Sequence, residues 1–232
     1  MILRLTRLPD TLKGPSDDVY HGRVPARARF LQKGAADALL QLESDIGHLV
    51  YTDIFRSPEA SLLAVRTRRG VQRPAYSGHN YGLSFDIATE DTLATLGMDY
   101  KNLSVAMEAH GFYCHRRDLS DGSESWHWNW LGDDASTCLK DVVPTDHNTW
   151  KLAVEARIEQ FYGHDFGLSP IEIQAGLAKL SLYHGAFDGK LGSLTSEAIL
   201  AFQRSWGLTE DGIAGPITQR TLAYVSADRQ ID

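Results

Sequence analysis

Cysteine is scarce in this chain: its 232 residues include two, Cys114 and Cys138. Two thiols exclude a disulfide framework and a cysteine-rich metal ribbon, and their spacing leaves open whether they pair. Long apolar runs are also missing. None approaches the ~18 residues of a membrane-spanning helix, so no membrane insertion is expected. The opening stretch MILRLTRLPDTLKG alternates apolar with basic residues and lacks the apolar core of a secretory signal, so it reads as a first strand. Positive charge is in deficit, with 23 Lys and Arg against 30 Asp and Glu, a net −7. That balance argues against non-specific nucleic-acid binding. The first 80 residues are nonetheless net basic, and the acidic excess lies wholly beyond them. Arg66, Arg68, Arg69 and Arg73 read as a solvated helix end, with reception of an anionic substrate as the alternative. The remaining composition, 43% hydrophobic and 23% charged, is ordinary for a globular chain of one or two domains.

Local patterns suggest an α+β domain followed by a small helical one. Residues 26–45 carry helical spacing, with Leu31, Ala35, Leu39 and Leu42 on one side. HLVYTDIF reads as a short strand, and Pro58 starts a helix capped by Ser57. DTLATLG and NLSVAMEAHG are helical, and His110 and Gly111 close the second. FYCHRRD and SWHWNWL are β-rich and separated by the turn-forming LSDGSE. The organisation expected is a first domain over 1–145 and a connecting helix over 146–168. A three-helix unit follows over 169–228. Within that unit D-G-x-x-G-x-x-T occurs twice, at Asp188–Thr195 and Asp211–Thr218. There Asp-Gly supplies a tight turn, the second glycine relieves a backbone constraint, and the threonine caps the next helix.

Two clusters carry chemistry. SGHNYGLSFDIA, residues 77–88, places His79 before an apolar strand and Asp86 inside it. A carboxylate between Phe85 and Ile87 is costly unless it has a partner. ESWHWNW adds Glu124 and His127. His79, Asp86 and His127 together offer two imidazole nitrogens and a carboxylate oxygen, the ligand set of a catalytic zinc that keeps one position open. Glu124 and His127 are three apart, so a regular strand would send them to opposite faces. A turn at Gly122-Ser123-Glu124 lets Glu124 reach over the metal as general base on a polarised water. Singly, each residue has an ordinary structural reading. Cys114 reads as a small buried residue, and His115 as a hydrogen-bonding partner of the ligands, a substrate contact or a rival ligand.

The pattern Ser77-x-His79-x-x-Gly82-x-x-x-Asp86 with Glu124-x-x-His127-Trp128 resembles the zinc D-alanyl-D-alanine carboxypeptidase and L-alanyl-D-glutamate endopeptidase family. Those enzymes cut the stem peptides of bacterial cell walls. The likeness extends upstream to FRSPEAS and covers roughly residues 45–131. It implies His79, Asp86 and His127 as ligands of one zinc ion, Glu124 as catalytic base, and Arg56 as oxyanion stabiliser. It also implies Ser77 and Trp128 as substrate contacts, Ser77 alternatively bracing the metal loop. Ser84 departs from the family's usual alanine and is expected to add a hydrogen bond beside the metal. The C-terminal unit resembles the three-helix peptidoglycan-binding domain, through Asp188-Gly189, Gly192, Thr195, Ala198, Phe202-Gln203, Gly207-Leu208 and Asp211-Gly212. Phe202 and Trp206 there read as core residues or as the border of a sugar-peptide groove.

The expected protein is a phage endolysin-like zinc metallopeptidase whose partner is bacterial peptidoglycan. It is expected to be a monomer made in the host cytoplasm and released to the wall through a phage-encoded pore. L-alanyl-D-glutamate cleavage is the favoured reaction and D-alanyl-D-alanine cleavage its competitor. A non-catalytic wall-binding protein with structural zinc is the reading from a different class.

Overall fold

The computed structural model describes residues 1–16, 22–67, 72–114, 124–132, 135–140, 147–163 and 166–232. The fold is mixed α+β, as expected from the sequence. It divides into two compact units. A sheet unit contains Arg4–Ser57, Ser77–Phe161 and Gln230–Asp232, and a helical unit contains Met1–Leu3, Pro58–Tyr76 and Tyr162–Arg229. Among the described residues no helix is long and apolar enough to cross a membrane.

The chain opens with β1 (Ile2–Arg7), antiparallel to β2 (Phe30–Leu31) with Thr6 opposite Leu31. With β7 (Asp228–Ile231) these strands form a sheet in the order β2-β1-β7. Helix α1 spans Lys33–Ile46, later than the helical spacing predicts. Leu31 is buried by strand pairing instead, and Gln32 starts the helix by accepting from the Gly34 and Ala35 amides. Ala35, Leu39 and Leu42 form its buried side.

The sheet that carries the chemistry runs in the order β3-β4-β6-β5: Tyr51–Asp53, Ser84–Ile87, His127–Trp130 and Phe112–Tyr113, all antiparallel. Strand alternation gives it two chemically different faces. Phe85 stands opposite Trp128 on the apolar face, and its ring meets Tyr51 at 5.6 Å and Phe112 at 5.0 Å, both edge-on. Each such buried aromatic contributes on the order of 1.5–3 kcal/mol. Ser84 and Asp86 project from the other face, opposite Asn129 and His127.

Helix α2 (Pro58–Thr67) belongs to the helical unit, whereas α3 (Thr89–Leu96) and α4 (Tyr100–Ala109) belong to the sheet unit. Asp99 caps the start of α4, and His110 caps its end, Nδ1 donating to the Ala106 carbonyl at 2.8 Å. The same ring's Nε2 bonds Asp45 of α1 at 2.9 Å, tying the two helices together. α5 (Ala135–Leu139) and α6 (His147–Tyr162) follow. Trp150 and Ala153 of α6 pack with Leu131, Ala135 and Cys138. The reading of residues 146–168 as a connecting helix thus meets a helix that, through Phe161, is built into the sheet unit.

In the helical unit, α7 (Pro170–Lys179), α8 (Ser193–Trp206) and α9 (Pro216–Val225) enclose Ile173, Leu177, Ile199, Phe202, Leu222 and Tyr224. Phe202 is core, and Trp206 is half-buried beside it at 6.2 Å. The repeated D-G motif is organised by a residue type that the repeat does not contain. Gln174 on α7 is fully buried; its amide nitrogen donates to Asp188 (2.8 Å) and the Lys190 carbonyl (3.1 Å), and its oxygen accepts from Gly189 (3.0 Å). Gln203 on α8 repeats the arrangement with Asp211 (2.7 Å), the Ile213 carbonyl (3.0 Å) and Gly212 (2.9 Å).

Two local expectations need correction. Gly192 and Gly215 are helix N-caps with φ of −81° and −68°, so neither relieves a left-handed constraint. Thr195 does not cap α8; its hydroxyl donates back to the Lys190 carbonyl at 3.1 Å.

Candidate metal centre

The loop before β4 is built to deliver His79. Residues Gly78–Tyr81 form a single 3-10 turn started by Ser77, whose hydroxyl accepts from the His79 amide while Asn80 Oδ1 accepts from the Ser77 amide. Asn80 Nδ2 then donates to the Arg56 carbonyl at 3.1 Å, and the Arg56 amide donates to the His79 carbonyl at 3.1 Å. Gly78 is required by contact: a Cβ there would lie 1.9 Å from Ser84 Oγ. Gly82 ends the turn at φ +67°, and a Cβ there would meet the Gln32 amide at 2.7 Å. Ser84 Oγ itself donates to Asn129 Oδ1 at 2.6 Å, the hydrogen bond expected beside the site.

His79 is 2% exposed, and its Nδ1 lies 2.6 Å from the Ile54 carbonyl. A carbonyl only accepts, so Nδ1 carries the proton and Nε2 presents its lone pair to the interior of the site. There Nε2 sits 3.2 Å from His127 Nδ1 and 3.3 Å from Asp86 Oδ1, and His127 Nδ1 sits 2.7 Å from Asp86 Oδ1. Three electron-pair donors therefore crowd one point with at most one proton to share among them. Four-coordinate metal–ligand bonds of about 2.0–2.1 Å require ligand atoms about 3.3 Å apart. Two of the three edges match that spacing and the third is shorter, so the donor set fits a divalent cation. Among the described residues these three form the cluster able to hold a metal ion.

The electrostatics agree with the geometry. Burial pushes the Asp86 carboxyl up, but the charges and hydrogen bonds of His79 and His127 overcome it and hold the group well below the usual carboxylate range. Burial alone would lower the His127 pKa. Asp86, by charge and hydrogen bond, and the Glu124 charge together raise it, with Arg56 opposing. Both Glu124 and Arg56 therefore act electrostatically on His127.

Glu124 does not lie on β6, which begins at His127. It adopts φ +44°, and its carbonyl accepts from the His127 amide at 3.1 Å and from Cys114 Sγ at 3.4 Å. This turn sets Glu124 outside the strand, so alternation does not fix its direction relative to His127; Gly122 and Ser123, the other residues of the expected turn, lie outside the described residues. Cys114 and Cys138 are both buried thiols. Arg56 is 9% exposed and held by Asp53, which accepts from Nε at 3.0 Å and from Nη2 at 2.5 Å. The sequence reading did not single out Asp53. The available signal was a carboxylate at a strand end, three residues before the candidate arginine.

Trp128, expected to touch substrate, needs correction: it is 1% exposed, because alternation turns it to the apolar face behind His127, near Tyr100. Ser77 is buried, and its hydroxyl accepts from the His79 amide at 3.4 Å. Arg66 is exposed and reaches the Ser205 carbonyl at 3.4 Å, in keeping with a solvated helix end. Arg68, Arg69 and His115 lie outside the described residues.

Comparison with known proteins adds to this picture. Residues 167–222 match the family described as "Putative peptidoglycan binding domain". The likeness of the C-terminal helices to that domain is thereby borne out. Over 141 residues, 60% of its length, the chain is 32% identical to the N-acetylmuramoyl-L-alanine amidase CwlM of Mycobacterium tuberculosis. The match spans about a third, 32%, of the length of that curated relative. Among solved structures the chain is similar to the LdcB LD-carboxypeptidase, determined for the molecular basis of its peptidoglycan recognition. Identity is 21%, coverage is 62% of this chain and 81% of that one, and the TM-score is 0.42.

Proposed function

We propose that this protein is a zinc-dependent peptidoglycan hydrolase of the endolysin type, and that it cleaves the L-alanyl-D-glutamate bond of stem peptides. In this reading the segment that matches a peptidoglycan-binding family holds the catalytic unit near its insoluble substrate and raises its effective concentration there. The observation that carries the reading is the convergence of His79 Nε2, Asp86 Oδ1 and His127 Nδ1, with a further carboxylate and a guanidinium acting on the same imidazole. A structural zinc site closes with four protein ligands and needs neither of those extra charges. Zinc bound by the three residues would polarise the scissile carbonyl and bring the pKa of water down towards about 7.

The chain's own groups supply the rest. Glu124 takes a proton from the attacking water and passes it to the leaving amine. Arg56 donates N–H groups to the oxyanion that develops on the scissile carbonyl. His79 holds its tautomer through the Ile54 carbonyl, which keeps Nε2 available as a ligand without rearrangement.

The similarity to a protein named as an amidase favours a second reading, cleavage of the muramoyl–L-alanine bond. The experiment is digestion of purified sacculi by the wild type and Glu124→Ala, with mass spectrometry of the new amines. An N-terminal D-glutamate appearing with the wild type and absent with Glu124→Ala supports the endopeptidase. A new L-alanine amine selects the amidase, and released D-alanine selects a carboxypeptidase. Equal solubilisation by both proteins removes Glu124 from the mechanism. No new amine and no released D-alanine from zinc-loaded wild type leaves a wall-binding protein.

A further inference from the structure

We infer that Asp53 is a positioning residue, which fixes the Arg56 guanidinium for its task at the metal centre. The inference rests on the hydrolase reading for its consequence, but not for its geometry. Tyr51 of β3 stands opposite Ile87, and an unbroken antiparallel ladder would then set Asp53 opposite Phe85, on the apolar face. The register instead shifts by one residue between Tyr51 and Asp53, and Asp53 comes opposite Asp86. Irregularities of this kind re-aim side chains beside functional sites. This one turns a carboxylate out of the core and onto the face that carries the metal ligands.

Two carboxylates directly opposite each other on a strand pair repel. The arrangement is tolerable because each has its own partners. Asp86 Oδ1 lies 2.7 Å from His127 Nδ1, and Asp53 Oδ2 accepts from two nitrogens of Arg56. The Asp53–Arg56 pair is largely removed from water, with side-chain exposures of 22% and 11%. A desolvated contact through both Nε and Nη2 fixes the plane of the guanidinium as well as its distance. The backbone of Arg56 is pinned independently through the His79 carbonyl and Asn80. Loss of Asp53 therefore removes the contact through Nε and Nη2 that orients the guanidinium, and leaves the backbone bonds of the loop in place.

The test is a double-mutant cycle on the full zinc-loaded chain with Asp53→Asn, Arg56→Ala and the double variant. The readouts are kcat and KM on a soluble stem peptide, zinc content, thermal midpoint, and the NMR signal of the Arg56 Nε–H. Asp53→Asn is expected to lower kcat by about 10–100-fold, the usual cost of an outer positioning partner, with KM within about twofold and zinc stoichiometry unchanged. In the Arg56→Ala background the same change is expected to cost nothing further. The Arg56 Nε–H signal is expected to exchange slowly in the wild type, where Asp53 accepts from it, and to weaken or vanish in Asp53→Asn. Asp53→Glu, which keeps the charge, is expected to recover part of the rate. An unchanged kcat, an equal loss in both backgrounds, or an Arg56 signal indifferent to Asp53 overturns the inference. Should the wild type cut no stem peptide while its Arg56 signal still depends on Asp53, the hydrolase reading falls and the positioning stands.

Discussion

Asp86 and His127 face each other directly across the β4–β6 ladder, and their side chains meet at 2.7 Å between Oδ1 and Nδ1. A register shift of one residue would turn one of them into the apolar core, so the ladder that builds the sheet also assembles the candidate metal site. Asp86→Asn keeps the shape but halves the lone-pair capacity and removes the charge. Zinc affinity, measured by competition with a chromophoric chelator, is expected to fall by more than the roughly 10–100-fold typical of outer partners. The β-sheet signature in circular dichroism should persist. A variant that binds zinc as tightly as the wild type would remove Asp86 from the ligand set.

Protonation of the same pair gives opposite pH trends with and without metal. The His127 pKa is raised in the metal-free fold, so its stabilisation is complete below the unfolded value of about 6.5 and is lost as pH rises through the folded value. The Asp86 pKa is lowered, so its stabilisation is present above about 3.9 and is lost as pH falls through its folded value. In the chelated protein the pair therefore stabilises most between about pH 4 and 6.5. Metal binding needs the His127 lone pair, and zinc stabilisation should grow as pH rises through the raised pKa. Differential scanning fluorimetry of wild type against His127→Gln, with zinc and with chelator, isolates both trends. A zinc-dependent shift that shrinks with rising pH would contradict them.

Much of this was legible in the chain because short-range rules produce it. His79 and Asp86 sit in one twelve-residue stretch, and strand periodicity alone marks Asp86 as a carboxylate in need of a partner. Pairing that stretch with Glu124 and His127 rested on the ligand chemistry of zinc and on a likeness to known enzymes, since no local rule links positions 41 apart. Trp128 was open to the same local rule, because alternation turns the neighbour of His127 to the apolar face beside Phe85. What escaped was set by tertiary register: Asp53 reaches the site through a ladder irregularity invisible in the sequence. The start of α1 was misread because Leu31 satisfies a helical period while its backbone pairs with β1. Gln174 and Gln203 escaped because the repeat is written in the turns, whereas the residues that bind those turns lie on the preceding helices.

Gly78 offers a test of how closely the metal loop must approach the sheet. A methyl group there lies 1.9 Å from Ser84 Oγ and 3.2 Å from Asn129 Oδ1, closer than the packing can admit. Gly78→Ala is expected to destabilise the sheet unit by about 1–3 kcal/mol, as overpacking does, and to weaken zinc binding by displacing His79. Combining it with Ser84→Ala removes the nearest atom and should recover part of both losses. No recovery of either, by thermal melting and zinc titration, would place the constraint elsewhere.

The two glutamines of the helical unit predict a stability effect with a characteristic symmetry. Gln203 accepts from the Asp211 and Gly212 amides and donates to the Asp211 carboxylate, the Ile213 carbonyl and Thr218. Truncation to alanine strands several of these groups, each costing about 1–3 kcal/mol where water cannot reach it. The loss exceeds what a small helical unit can spare, so Gln203→Ala is expected to lower its melting transition sharply and to abolish sedimentation with purified sacculi. Gln174→Ala removes the equivalent bonds to Asp188, Gly189 and Lys190 and should act in the same direction. Gln203→Glu separates packing from hydrogen bonding: it keeps the acceptor oxygen but sets a second carboxylate against Asp211. Its melting point should therefore fall with rising pH as the introduced carboxyl ionises, a dependence that neither alanine variant shows. A melting transition for Gln203→Ala within a degree of the wild type would mean that the turns hold themselves.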